Sequence, residues 1–61
     1  MDNLDAIMII EGEAESQEQY FEAFQALINS GVVWQLQGFY GRTAAALIDE
    51  GMCHEANPEH N

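Results

Sequence analysis

Ser16-Gln17-Glu18-Gln19-Tyr20-Phe21-Glu22-Ala23-Phe24-Gln25-Ala26-Leu27-Ile28-Asn29-Ser30-Gly31 carries both ends and one face of a helix. Ser16 followed by Gln19 matches a capping box, in which the hydroxyl accepts an orphan backbone N–H and the Gln side chain reaches back. Glu15 and Glu18 complement the positive end of the helix dipole. Tyr20, Phe21, Phe24, Leu27 and Ile28 form one apolar stripe, and Gln17, Glu18, Glu22 and Gln25 fall largely on the other side. Gly31 suits the left-handed residue that follows a helix end.

The neighbouring segments are read outward from this helix. Upstream, Leu4, Ile7 and Met8 recur at helical spacing between Asp2 and about Glu11, with Asn3 or Asp2 as N-cap and Gly12 as stop. Ile9 and Ile10 widen that apolar face, and Met8–Ile10 has a buried strand as its alternative, though nothing else here would pair with it. Downstream, Val32–Gln37 stays open between a strand and a helical turn. Phe39–Glu50 reads as a helix in which Tyr40, Ala44, Leu47 and Ile48 share a face and Gly51 follows as stop. Gly41 within it costs about 1 kcal/mol relative to Ala, which suggests that another backbone approaches there. Met52 is placed over the last turn. From His54 onward no apolar pattern remains. The expectation is an all-α protein: a small bundle of three to four short helices over residues 1–53, with 54–61 as a frayed tail.

Size and composition limit how such a bundle is stabilised. Sixty-one residues make one domain at most, and a chain this short buries only about 60% of its unfolded surface. Its one cysteine, Cys53, excludes an internal disulfide, so association with itself or a partner is the expected reinforcement. At 48% hydrophobic the chain is not expected to be simply disordered. No apolar run approaches the roughly 18 residues of a membrane span. Met1-Asp2-Asn3 lacks the basic region of a signal peptide. One unpaired cysteine suits a reducing interior, so a cytoplasmic protein is expected.

Charge separates the possible partners. Eleven acids face one base, Arg42, for a net charge of −10. Asp2, Asp5, Glu11, Glu13, Glu15, Glu18 and Glu22 precede any Lys or Arg, so the first half carries −7 and the second −3. Such a field repels nucleic acid and anionic membrane and draws in basic protein surfaces. Helix-turn-helix binding to DNA needs several cations on phosphates, and this chain offers one. Glu15, Glu18 and Glu22 rise roughly 4.5–6 Å apart along a helix, a scale comparable with phosphates about 3.4 Å apart along a strand. The simpler reading is a solvated acidic face that keeps the protein soluble, although such faces normally interleave both signs.

The remaining candidates are weighed the same way. Arg42 is expected in an internal ion pair or helix-end contact, or at a partner interface. Trp34, Phe39 and Tyr40 are expected in the core or a dimer seam, with a partner patch as the alternative. Gln35 and Gln37 should point outward. Cys53, His54 and His60, with Glu55 or Glu59, match no recognised metal-ligand spacing. Cys53 and His54 are adjacent and rarely positioned for nucleophilic catalysis. Asp49 and Glu50 sit where a helix dipole disfavours acids. No phosphate-binding glycine loop occurs. No catalytic residue, cofactor or metal is expected, and the protein is not read as an enzyme.

Trp34-Gln35-Leu36-Gln37-Gly38-Phe39-Tyr40-Gly41-Arg42-Thr43-Ala44, continuing through Leu47-Ile48, Gly51 and Cys53, resembles a family of short phage-encoded proteins. Their shared stretch runs Trp-Gln-Leu-Gln-Gly-x-Tyr-Gly-Arg-Thr-Ala, then Leu-Ile, Gly and Cys. Phe24–Gly31 is similar to that family's helix ending in Gly, and Glu11-Gly12-Glu13 to its Asp-Gly-Glu turn. The acidity of the first half is the departure. The resemblance implies a bacteriophage accessory protein in the host cytoplasm and carries no catalytic assignment.

The expected function is binding to a basic surface of a host protein, with nucleic-acid mimicry as one mode, so as to inhibit or redirect it. Glu11, Glu13, Glu15, Glu18 and Glu22 would steer; Trp34, Gln35, Gln37, Tyr40 and Arg42 would anchor. The alternative is a homo-oligomeric assembly protein with its seam in Trp34–Leu47 and its acidity serving solubility alone.

Overall fold

The computed structural model describes residues 1–56, and among them the chain is helical without a strand. Helix α1 spans Asn3–Met8 and runs into a π turn, Ile9–Glu13. Helix α2 spans Gln17–Ser30, a 3-10 turn covers Val32–Gln35, and α3 spans Gly38–Asp49. The expected small all-α bundle is what the chain forms, and the strand considered at Met8–Ile10 is instead the junction of α1 with the π turn.

Local chemistry explains each boundary. Asp2 is the N-cap of α1, its Oδ1 accepting the Asp5 N–H at 2.8 Å. The π turn closes through the Ala14 N–H on the Ile9 carbonyl at 3.1 Å. Within it Gly12 has φ 147° and ψ 0°, a conformation that breaks the helix and that side chains rarely adopt. Ser16 caps α2 as expected, its Oγ accepting the Gln19 N–H at 3.1 Å. Gln19 does reach back, but to the Glu15 N–H at 2.7 Å, one residue before the cap. Gly31, at φ 85°, ends α2 with its N–H shared between the Leu27 and Ile28 carbonyls, each at 3.0 Å.

The segment left open in the sequence forms one 3-10 turn because Gly31 starts it and Leu36 leaves it extended. Helix α3 closes with a Schellman motif: Gly51 N–H to the Ile48 carbonyl at 3.1 Å and Met52 N–H to Leu47 at 2.9 Å. Met52 itself is 51% exposed, so only its backbone packs back over the last turn.

Helix α2 is the element on which the rest assemble: α1, both turns and α3 all contact it. The Ser30 hydroxyl donates to Asn3 Oδ1 at 3.0 Å, setting the start of α1 beside the end of α2. Phe24, Leu27, Ile28 and Val33 are the largest fully buried side chains. Around them lie Ala6, Ala23, Tyr40, Ala44 and Cys53, with no buried charge among the described residues. Phe24 is the aromatic centre, edge-on to Tyr20 at 5.2 Å and to Phe39 at 6.5 Å, and tilted against Tyr40 at 6.1 Å.

Helix α1 turns a different face inward from the one its spacing suggested. Ala6 is buried and Ile7, Ile9 and Ile10 pack against the core, whereas Leu4 and Met8 point outward at 65% and 42% exposure. Ala6 allows a close approach to α2, and the π turn carries both Ile9 and Ile10 round to the core.

The expected boundary after Cys53 falls one residue short of the chain's hydrogen bonding. The Gln25 amide grips His54 at two points, Nε2 donating to its carbonyl and Oε1 accepting its N–H, both at 2.9 Å. Of the tail expected at 54–61, residues 57–61, including Glu59 and His60, lie outside the described residues.

Candidate interaction surface

The five candidate acids are all exposed, but they do not form one equivalent set. Glu18 and Glu22 are one turn apart on α2, on the side away from Leu27 and Phe24. Glu15 directly precedes the Ser16 cap, so the helix start fixes its position although it lies outside the helix. Glu13 ends the π turn. These four carboxylates line the π turn and the first half of α2, and no Lys or Arg occurs before Arg42 to neutralise them.

Glu11 has a structural task. Its carboxylate accepts a hydrogen bond from the hydroxyl of Tyr40, which is buried to 6% exposure. Burial first, then the hydrogen bond to Glu11 and its negative charge, push the Tyr40 phenol up to about 12. Glu11 and Tyr40 were expected in separate halves of a binding surface; the fold brings them together as an internal brace.

The aromatic group expected in one seam is divided. Tyr40 is core, whereas Trp34 and Phe39 are 52% and 45% exposed. Gln35 and Gln37 are exposed as expected. Gly41 is approached by an indole edge and not by another backbone: a Cβ there would lie 3.8 Å from Trp34 Cε3, ordinary contact. Among the described residues Arg42 shows neither the expected ion pair nor a helix-end carbonyl contact; its guanidinium folds back over Gly38, where a Cβ would meet Nη1 at 2.8 Å. Two exposed side chains thus flank the start of α3, Trp34 against Gly41 and Arg42 over Gly38.

Cys53 is buried, with Sγ 3.5 Å from the Phe21 carbonyl, and burial raises its thiol pKa. That geometry turns the sulfur inward, whereas His54 is exposed. No group of three metal-binding side chains and no pocket occurs among the described residues. The sequence reading also missed the outward apolar pair Leu4 and Met8 on α1, with Met1 exposed ahead of the helix. Its signal was the position of Ala6, which lies opposite Leu4 on a helical wheel.

Fold and surface define a small acidic all-α protein with a compact core and exposed carboxylates along the π turn and the first half of α2. Residues 1–58 match the family described as "Domain of unknown function (DUF7417)", and the chain belongs to that family. Neither a curated protein nor a solved structure matches it significantly.

Proposed function

We propose that this chain is an accessory protein that binds a basic surface of another protein and inhibits or redirects it. The observation that carries the reading is the run of exposed carboxylates Glu13, Glu15, Glu18 and Glu22 in a half-chain with no Lys or Arg. Like charges held together destabilise a small fold, and a cationic partner relieves that cost while being steered in by the same field. A nucleic-acid-binding groove is the basic surface that such an array fits best. The resemblance of Trp34–Cys53 to short phage proteins supports a bacteriophage origin and a role in the host cytoplasm.

The second reading, a homo-oligomeric assembly protein, is favoured by the exposure of Trp34 and Phe39. One experiment separates the two. Wild type and a Glu15→Gln/Glu18→Gln/Glu22→Gln variant are used to capture host proteins at low and high salt, with light scattering on both. Basic proteins retained only by wild type, and released by salt, support the first reading. Equal capture by both forms, with a constant oligomer mass, supports the second.

A further inference from the structure

We infer that the outward face of α1, formed by Leu4 and Met8, docks a cationic amphipathic helix of the partner protein. The inference rests on the basic-partner reading above and names what seats that partner. Leu4 and Met8 are 65% and 42% exposed and stand one turn apart opposite buried Ala6. An apolar pair of this kind is a surface for the apolar stripe of another helix.

Charge selects the occupant. Asp5 is exposed one turn from Met8, Asp2 caps the same helix, and Glu11 lies one turn beyond Met8. Residues 1–41 contain no Lys or Arg. A second copy would set the Asp2, Asp5 and Glu11 carboxylates against their own kind, and an anionic membrane is repelled for the same reason. A helix with a Leu- or Met-like stripe flanked by Lys and Arg meets both the apolar pair and its acidic rim.

The test titrates a designed Leu/Lys amphipathic helical peptide, and a scrambled peptide of the same composition, into wild type, Leu4→Gln and Met8→Gln. Both side chains are exposed, so circular dichroism should match wild type. At physiological salt each substitution is expected to weaken the amphipathic peptide by about tenfold. The scrambled peptide should bind weakly and equally to all three forms. Because neither substitution alters charge, the salt dependence should stay the same. Salt-dependent binding that ignores Leu4 and Met8 overturns the docking face while leaving the basic-partner reading intact. Binding that ignores salt overturns the basic-partner reading itself. A wild-type dimer that Leu4→Gln dissociates, or adsorption to neutral phosphatidylcholine vesicles that Leu4→Gln abolishes, assigns the face to another occupant and overturns the inference.

Discussion

The hydroxyl of Tyr40, in the first turn of α3, donates a hydrogen bond to the carboxylate of Glu11, 29 residues upstream in the π turn. It ties the π turn to α3, with Phe24 packed against the same ring. The donor is buried and the acceptor residue is exposed, so the two partners are not equivalent. Tyr40→Phe removes the donor and lets Glu11 rehydrate, costing about 1 kcal/mol. Glu11→Ala strands the buried hydroxyl and should cost more, about 1–3 kcal/mol. Urea denaturation of the two variants checks the order; equal losses would sink the asymmetry.

Burial of the Tyr40 hydroxyl, together with its bond to Glu11, predicts a dependence on alkaline pH. Tyr40 moves from 10.0 in the unfolded chain to about 12 in the fold, so the native state keeps a proton that the unfolded state releases between these values. Its contribution is therefore complete below pH 10 and is lost as pH rises towards 12. Cys53 is shifted in the same direction, so the measurement must be a difference. The stability gap between wild type and Tyr40→Phe should narrow across this window. A constant gap contradicts the assignment.

Two glycines should respond differently to the same substitution. Gly31, at φ 85°, occupies the left-handed region that Asn tolerates, whereas Gly12, at φ 147°, lies where side chains are rarely found. Gly31→Asn should then cost less than Gly31→Ala, which costs about 1–2 kcal/mol. At Gly12, Asn should bring no such relief. Thermal melts of the four variants test this, and rescue by Asn at Gly12 would count against the π-turn geometry.

What could be read from the chain, and what could not, divides by the range of the interaction. Ser16, Gln19 and Gly31 announce α2 because caps act within one turn, and Phe24, Leu27 and Ile28 announce its buried face by spacing alone. Helix α3 is legible for the same reason. The exposure of Leu4 and Met8 is not, because either side of α1 carries enough apolar residues to be the inner one. Only Ala6 against α2, and the π turn that swings Ile9 and Ile10 inward, decide it. Glu11 looked like one acid among many, since nothing local marks it as the acceptor for Tyr40. The grip of Gln25 on His54 likewise spans 29 residues and leaves no local signature.

That grip predicts how Cys53 is reached by a reagent. The thiol is buried beside the Phe21 carbonyl, and its raised pKa leaves little thiolate at neutral pH. Alkylation in the native state should therefore wait for the end of the chain to lift from α2. Gln25→Ala removes both bonds to His54 and should speed labelling by about tenfold, through local opening and not global unfolding. Labelling kinetics measured beside urea stability distinguish these routes. Acceleration fully explained by lost global stability would mean that the segment does not open independently.

Glu18 and Glu22 set stability against binding. They are like charges four residues apart on α2, an arrangement that destabilises a helix by a few tenths of a kcal/mol. Glu18 lies near the helix start, where the dipole compensates it, and Glu22 lies beyond that help. Glu18→Gln should therefore be neutral or slightly destabilising. Glu22→Lys should stabilise the fold by about 0.5 kcal/mol, by replacing repulsion with an i,i+4 pair of favourable orientation. If the array exists to meet a cationic partner, the same Glu22→Lys change should weaken capture of basic host proteins as the fold becomes firmer. Chemical denaturation and salt-dependent capture measure the two effects on one variant. A gain in stability with undiminished capture would show that Glu22 serves solubility alone and would move the binding surface elsewhere on the molecule.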